Sequence, residues 1–138
     1  MENELQTVFI KLLSEIHKEI LKPNGWKKEG QNFRLVLPGS PKSKGILISF
    51  QKSQWNDSDQ LQFTINACSV YAYRPFTIDP KFRINNNFNY LRPGDISQKY
   101  INHNWWSITV DTDYEKLKSE IKEYLVEYAI PYLNPENE

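Results

Sequence analysis

The sequence predicts an α+β fold: an antiparallel sheet of about four to five strands, flanked by an N-terminal and a C-terminal helix packed on one face. Three observations carry this reading. Residues 4–21 space their apolar side chains three and four apart. Residues 45–53 and 61–71 alternate apolar with polar side chains. Residues 114–128 return to the helical spacing. Periods of 3.6 and 2 are the respective signatures of an amphipathic helix and a half-buried strand, and two such helices beside a meander of strands define the class.

In the first helix Leu5, Val8, Phe9, Leu12, Leu13, Ile16 and Ile20 form one stripe, with Lys11, Glu15, Lys18 and Glu19 toward water. Lys22-Pro23-Asn24-Gly25 is expected to stop it, because Pro23 removes a donor and Gly25 tolerates positive φ. Asn32 to Leu37 reads as a short strand, ended by Pro38-Gly39-Ser40-Pro41. Gly45 to Ser53 sets Ile46, Ile48 and Phe50 on one face, and Leu47, Ser49, Gln51 and Ser53 on the other. Leu61 to Tyr71 opposes Leu61, Phe63, Ile65 and Ala67 to Gln62, Thr64, Asn66 and Cys68. Such alternation fits an antiparallel sheet with one face in the core. Between Ala72 and Asn104 a further strand is expected near Phe88 to Arg92, ended by Pro93-Gly94-Asp95. Trp105 to Val110 reads as the last strand, with its two tryptophans on opposite faces, one of them in the core. Thr112-Asp113-Tyr114-Glu115 has capping-box spacing and starts the second helix. Tyr114, Leu117, Ile121, Leu125 and Tyr128 line its stripe, and Pro131 is expected to close it.

Composition limits the function classes. The chain has 138 residues, near the commonest domain size, so residues 1–138 are read as one domain. Its 17 basic and 17 acidic residues cancel, which leaves no net field to attract nucleic acid or an acidic membrane. A single cysteine, Cys68, excludes an internal disulfide framework and any multi-cysteine metal site. The acidic start, Met1-Glu2-Asn3-Glu4-Leu5, does not resemble a secretory signal, and the expected location is cytoplasmic.

Several stretches, taken together and in order, carry a resemblance. They are Leu21-Lys22-Pro23-Asn24-Gly25-Trp26-Lys27-Lys28 with Phe33, Phe50-Gln51-Lys52-Ser53-Gln54-Trp55-Asn56, Phe63-Thr64-Ile65-Asn66, Trp105-Trp106 and Ile130-Pro131-Tyr132-Leu133. On these residues the chain resembles DUF4304, a bacterial family of unknown function. Such proteins tend to carry an Arg-rich strand that ends in glycine before the tryptophan pair. Here that stretch reads Asn89-Tyr90-Leu91-Arg92-Pro93-Gly94, with Pro93 intruding. The resemblance implies the two-helix α+β arrangement and a bacterial source. It implies no activity.

The candidate site lies off the core face of the two central strands. Gln51, Ser53, Thr64 and Asn66 become neighbours there if those strands pair, Trp55 follows directly, and Arg92 and Trp106 approach from later strands. The plain reading is a solvated outer face whose hydrogen bonds order the following loop. The functional reading is a shallow cleft of amides and hydroxyls flanked by indoles, suited to a protein or small-molecule partner.

The remaining chemistry-bearing residues are sparse. His103 needs an orienting carboxylate to act as a base, with Asp95, Asp111 and Asp113 as candidates; an exposed loop histidine is the ordinary reading. His17 reads as a surface or boundary residue and Cys68 as a small buried hydrophobe rather than a nucleophile. Asp57 and Asp59 lack the rest of a calcium loop. Arg34, Lys42 and Lys44 form a small basic patch without interleaved aromatics, so no nucleic acid is expected. No phosphate loop or nucleophile elbow is present, and no cofactor or metal is expected. The sequence therefore favours a non-enzymatic binding module, with an immunity-type protein as one concrete form. A small enzyme, for example a hydrolase, using Arg92 and His103 in the same cleft is the alternative, and an RNA-binding surface built on exposed aromatics comes third.

Overall fold

A computed structural model describes residues 4–37, 43–54, 56–57, 59–72 and 91–133. The apolar stripe of the first helix, α1 (Glu4–Ile16), buries Leu5, Phe9, Leu12, Leu13 and Ile16. The helix widens into a π-turn over His17–Leu21 and ends in a 3₁₀ turn over Lys22–Asn24. Pro23 sits at the start of that last turn, and Gly25 follows at φ 90°, the left-handed value that favours glycine. The stop therefore falls where the sequence places it. His17 is half-buried at this end and donates from Nε2 to the Trp26 carbonyl at 3.1 Å.

Among the described residues five strands follow as an antiparallel meander in chain order: β1 (Lys27–Glu29), β2 (Asn32–Leu37), β3 (Ser43–Lys52), β4 (Leu61–Ala72) and β5 (Trp106–Ile108). β1 has no counterpart in the sequence reading, because all three of its residues are exposed and show no apolar alternation. The expected strand near Phe88 to Arg92 falls mostly outside the described residues. Its described end, Leu91, makes a two-bond bridge to Ala67. Pro93-Gly94-Asp95 follows and begins a short helix, α2 (Pro93–Ile96), with proline at a position that needs no donor. A 3₁₀ turn, Gln98–Tyr100, leads on toward β5.

The last helix runs as α3 (Tyr114–Glu123), a π-segment (Tyr124–Ala129) and α4 (Ile130–Leu133). Its N-cap is Asp113, whose carboxylate accepts from Lys116 N. Thr112 instead accepts from Thr109 N and ends β5. Pro131 does not close the helix, which continues to Leu133. The π-segment immediately before it is wider than an α-turn, which relieves the clash a proline ring makes with the preceding turn.

Helices pack on one sheet face through an aromatic line. Phe33, Phe50, Phe63 and Trp106 follow one another across β2 to β5 at centroid spacings of 5.6–5.9 Å, and Tyr124 and Tyr100 continue the line under the helix. Tyr124 is fully buried, and its hydroxyl has no hydrogen-bond partner among the described residues. Burial raises its pKa.

The two terminal helices are tied at the surface. Glu15 accepts from the Tyr114 hydroxyl at 2.6 Å and from Lys118 at 3.1 Å, while Lys118 and Lys122 both reach Glu19. Tyr114 first and then Lys118 hold the Glu15 carboxyl below its ordinary value, and the Lys118 ammonium is raised by Glu19 and Glu15. A depressed carboxyl stabilises the fold above its unfolded pKa, and that contribution is lost as pH falls through the folded value. The raised lysine contributes below its unfolded pKa and loses that contribution as pH rises through the folded value. Tyr114→Phe is therefore expected to move the Glu15 titration midpoint upward in a carbon-detected NMR titration. An unmoved midpoint would show that the hydroxyl does not set it.

Candidate functional site

The second sheet face, opposite the helices, is built by parity. In β4 the core side takes Leu61, Phe63, Ile65 and Ala67, which leaves Gln62, Thr64, Asn66 and Cys68 on the other. Gln51 lies opposite Thr64, and Ser49 opposite Asn66. Asn66 Nδ2 donates diagonally to Gln51 Oε1 at 2.6 Å, so the structure does bring these candidates together. Ser53 donates its N–H to the Gln62 carbonyl at the end of the same hairpin. Trp55 lies outside the described residues.

This face is less open than an outer face ordinarily is. Thr64 is 0% and Asn66 6% exposed, whereas Gln51 is exposed. Leu47 and Cys68, paired across the same strands, are buried as well. Asn104 provides part of the cover. Thr64 Oγ1 donates to the Asn104 carbonyl, and Asn104 Oδ1 accepts from Gly94 N at 2.6 Å. Asn104 thus joins the sheet to the start of α2.

The segment from Leu91 to Trp105 aims two side chains. Leu91 packs toward the core and pairs with Ala67, so antiparallel register puts Arg92 beside Asn66 on the second face. Asp95 Oδ2 accepts from Arg92 N at 2.9 Å and fixes the backbone there. Trp106 pairs with Phe63, so Trp105 comes beside Thr64 on the second face. The two meet: the Arg92 guanidinium lies 5.2 Å from the centre of the Trp105 ring. Arg92 makes no ion pair among the described residues.

Trp106, the tryptophan the sequence reading placed in the site, is only 9% exposed and stacks on Phe63 at 5.9 Å in the core. Trp105 is the indole that reaches the second face. The adjacent pair does divide between faces, but sequence spacing alone does not say which goes where. Asn104 and Gly94 were also missed, because their contact joins positions ten apart through a turn that no local pattern marks.

The other candidates resolve singly. His103 is exposed, and its ring makes no hydrogen bond or ion pair with a carboxylate among the described residues. Asp57 spends its carboxylate on the N–H groups of Asp59 and Gln60, ordering its own loop. No group of three metal-ligating side chains occurs among the described residues. Arg34 is engaged by Glu29 at 3.0 Å. No helix is long and apolar enough to cross a membrane among the described residues.

Burial pushes the Cys68 thiol up to about 11, away from the thiolate needed for attack. It is expected to resist a thiol-reactive chromogen in native buffer and to react fully in denaturant. Prompt native labelling would contradict the burial.

An open groove of about 440 Å³ adjoins Trp105 on the other side of β5, between that strand and α3. A family model described as "Domain of unknown function (DUF4304)" matches residues 17–135. No curated protein and no solved structure matches the chain.

Proposed function

The chain belongs to the DUF4304 family, and from that premise we propose that it is a cytoplasmic, non-enzymatic binding module of bacterial type, with its recognition surface at the edge of the second sheet face. The observation that carries this reading is the Arg92–Trp105 pair. Tryptophan and arginine are enriched in binding hot spots, tryptophan for its large contact area and arginine for its planar fork of five donors. Here the guanidinium is held over an indole with no ion pair among the described residues, and a guanidinium fork of this kind suits a carboxylate. Gln51, exposed and backed by Asn66, extends the surface.

Ser53, Thr64 and Asn66 support that surface from beneath, since their polar groups serve the sheet and Asn104. An immunity-type role, in which this surface blocks another protein, is one concrete form of the reading. The enzyme alternative is weakened by the placement of His103, which has no orienting partner among the described residues.

The test is partner capture by immobilised chain, wild type against Arg92→Ala/Trp105→Ala. The expected result is a partner retained by wild type and lost by a variant that still melts cooperatively. Equal retention by both would move the surface elsewhere.

A further inference from the structure

We infer that the outer edge of β5 is a docking site for an extended peptide of another protein. The peptide adds as a sixth antiparallel strand, with a basic residue N-terminal to an acidic one; this rests on the Arg92–Trp105 surface proposed above. The backbone geometry follows from parity. Gln62 gives its carbonyl to Ser53 of the β3 side, and Ala67 exchanges both bonds with Leu91 on the opposite side. Odd-numbered residues of β4 therefore face β5, where Phe63 and Leu61 meet Trp106 and Ile108. Trp106 and Ile108 spend their N–H and C=O groups on β4. By the same parity those of Ser107, and of Trp105 immediately before the strand, point outward, and neither makes a backbone hydrogen bond to a turn or loop among the described residues.

The side chains around that edge are already arranged. Gln60 and Gln62 hold the Ser107 hydroxyl, so its side chain is fixed while its backbone makes no turn or loop hydrogen bond among the described residues. Thr109 uses both its backbone groups on Thr112, which limits the ladder to Trp105 and Ser107. The groove of about 440 Å³ runs alongside, flanked by Lys116 and Glu120 of α3. Unpaired backbone on a sheet edge is a ready template for another strand, and pockets beside it read alternate side chains.

Charge selects the occupant. Arg92 stands at the Trp105 end of the edge, and Asp111 at the other, each without an ion pair among the described residues. An antiparallel strand runs from the Asp111 end to the Arg92 end, so its basic residue precedes its acidic one. A second copy of the chain would have to pair through the same short stretch.

The probe is a set of capped peptides of about ten residues, the length of a long strand, alternating Thr and Val with one Lys and one Glu in either order. Amide exchange of the uniformly ¹⁵N-labelled full chain is the readout. Lys-before-Glu peptides are expected to bind, and at about ten times Kd to slow exchange of the Ser107 amide roughly tenfold. N-methylation of the peptide residue facing Ser107 abolishes this, and Arg92→Ala weakens binding about tenfold. The proposal is overturned if no peptide slows Ser107 exchange, or if Glu-before-Lys peptides bind better. Peptide binding that needs Arg92 but leaves Ser107 unprotected and tolerates N-methylation removes the strand addition and keeps the surface. Ser107 protection that rises with protein concentration and needs no peptide assigns the edge to a second copy instead.

Discussion

Trp106→Ala is expected to destabilise the protein by about 3–5 kcal/mol, the cost of truncating a large core aromatic. Trp106 is 9% exposed and in ring contact with Phe63, Tyr100 and Tyr124, so its removal opens a hole where sheet and helix meet. Domains are stable by only about 5–15 kcal/mol, so this loss is a large share of the total. A chain of this size should melt roughly 10–20 °C lower. Trp105→Ala serves as the internal comparison. Its ring is half-buried and faces Arg92, and an exposed cation–π contact is worth about 0.5–1 kcal/mol. Thermal melts of the two variants side by side check the assignment of faces. A larger drop for Trp105→Ala would invert it.

Gly94→Ala is the second large effect. A Cβ at this position would stand 2.9 Å from Asn104 Oδ1 and 3.2 Å from both the Ile101 Cα and the Tyr100 carbonyl oxygen. Two of those three atoms are backbone, so the strain is not relieved by a rotamer change. Overpacking of this kind costs about 1–3 kcal/mol. It also acts on the site, because Asn104 links Gly94 to Thr64 and so holds the segment that carries Arg92 and Trp105. The variant is expected to melt lower in a denaturant titration and to retain less partner than wild type. A variant with wild-type stability and capture would show that the Gly94–Asn104 contact is dispensable.

The parts of the fold that were legible in the sequence are those where burial repeats with a fixed period. The stripe of α1, the alternation in β3 and β4 and the stripe of α3 are periodic, and each forms where expected. β1 was silent because an exposed edge strand has no buried face to write into the sequence. Pro131 misled because a helix that widens into a π-segment tolerates a proline that an ideal helix does not. The site divided in the same way. Gln51, Thr64 and Asn66 share a face by parity alone. The burial of Thr64 and Asn66 could not be read, since part of the cover comes from Asn104, distant in the chain. The choice between Trp105 and Trp106 depends on the register of β5 against β4, which three residues of strand leave undetermined until Phe63 is seen opposite Trp106.

The most direct test of the recognition surface is the set of tryptophan indole N–H resonances of ¹⁵N-labelled chain, assigned by single Trp→Phe variants and followed as captured partner is added. The Trp105 resonance is expected to shift and saturate with the partner, while those of Trp106 and Trp26, both in the core, hold their positions. A Trp105 resonance that stays in place at saturating partner would contradict the account.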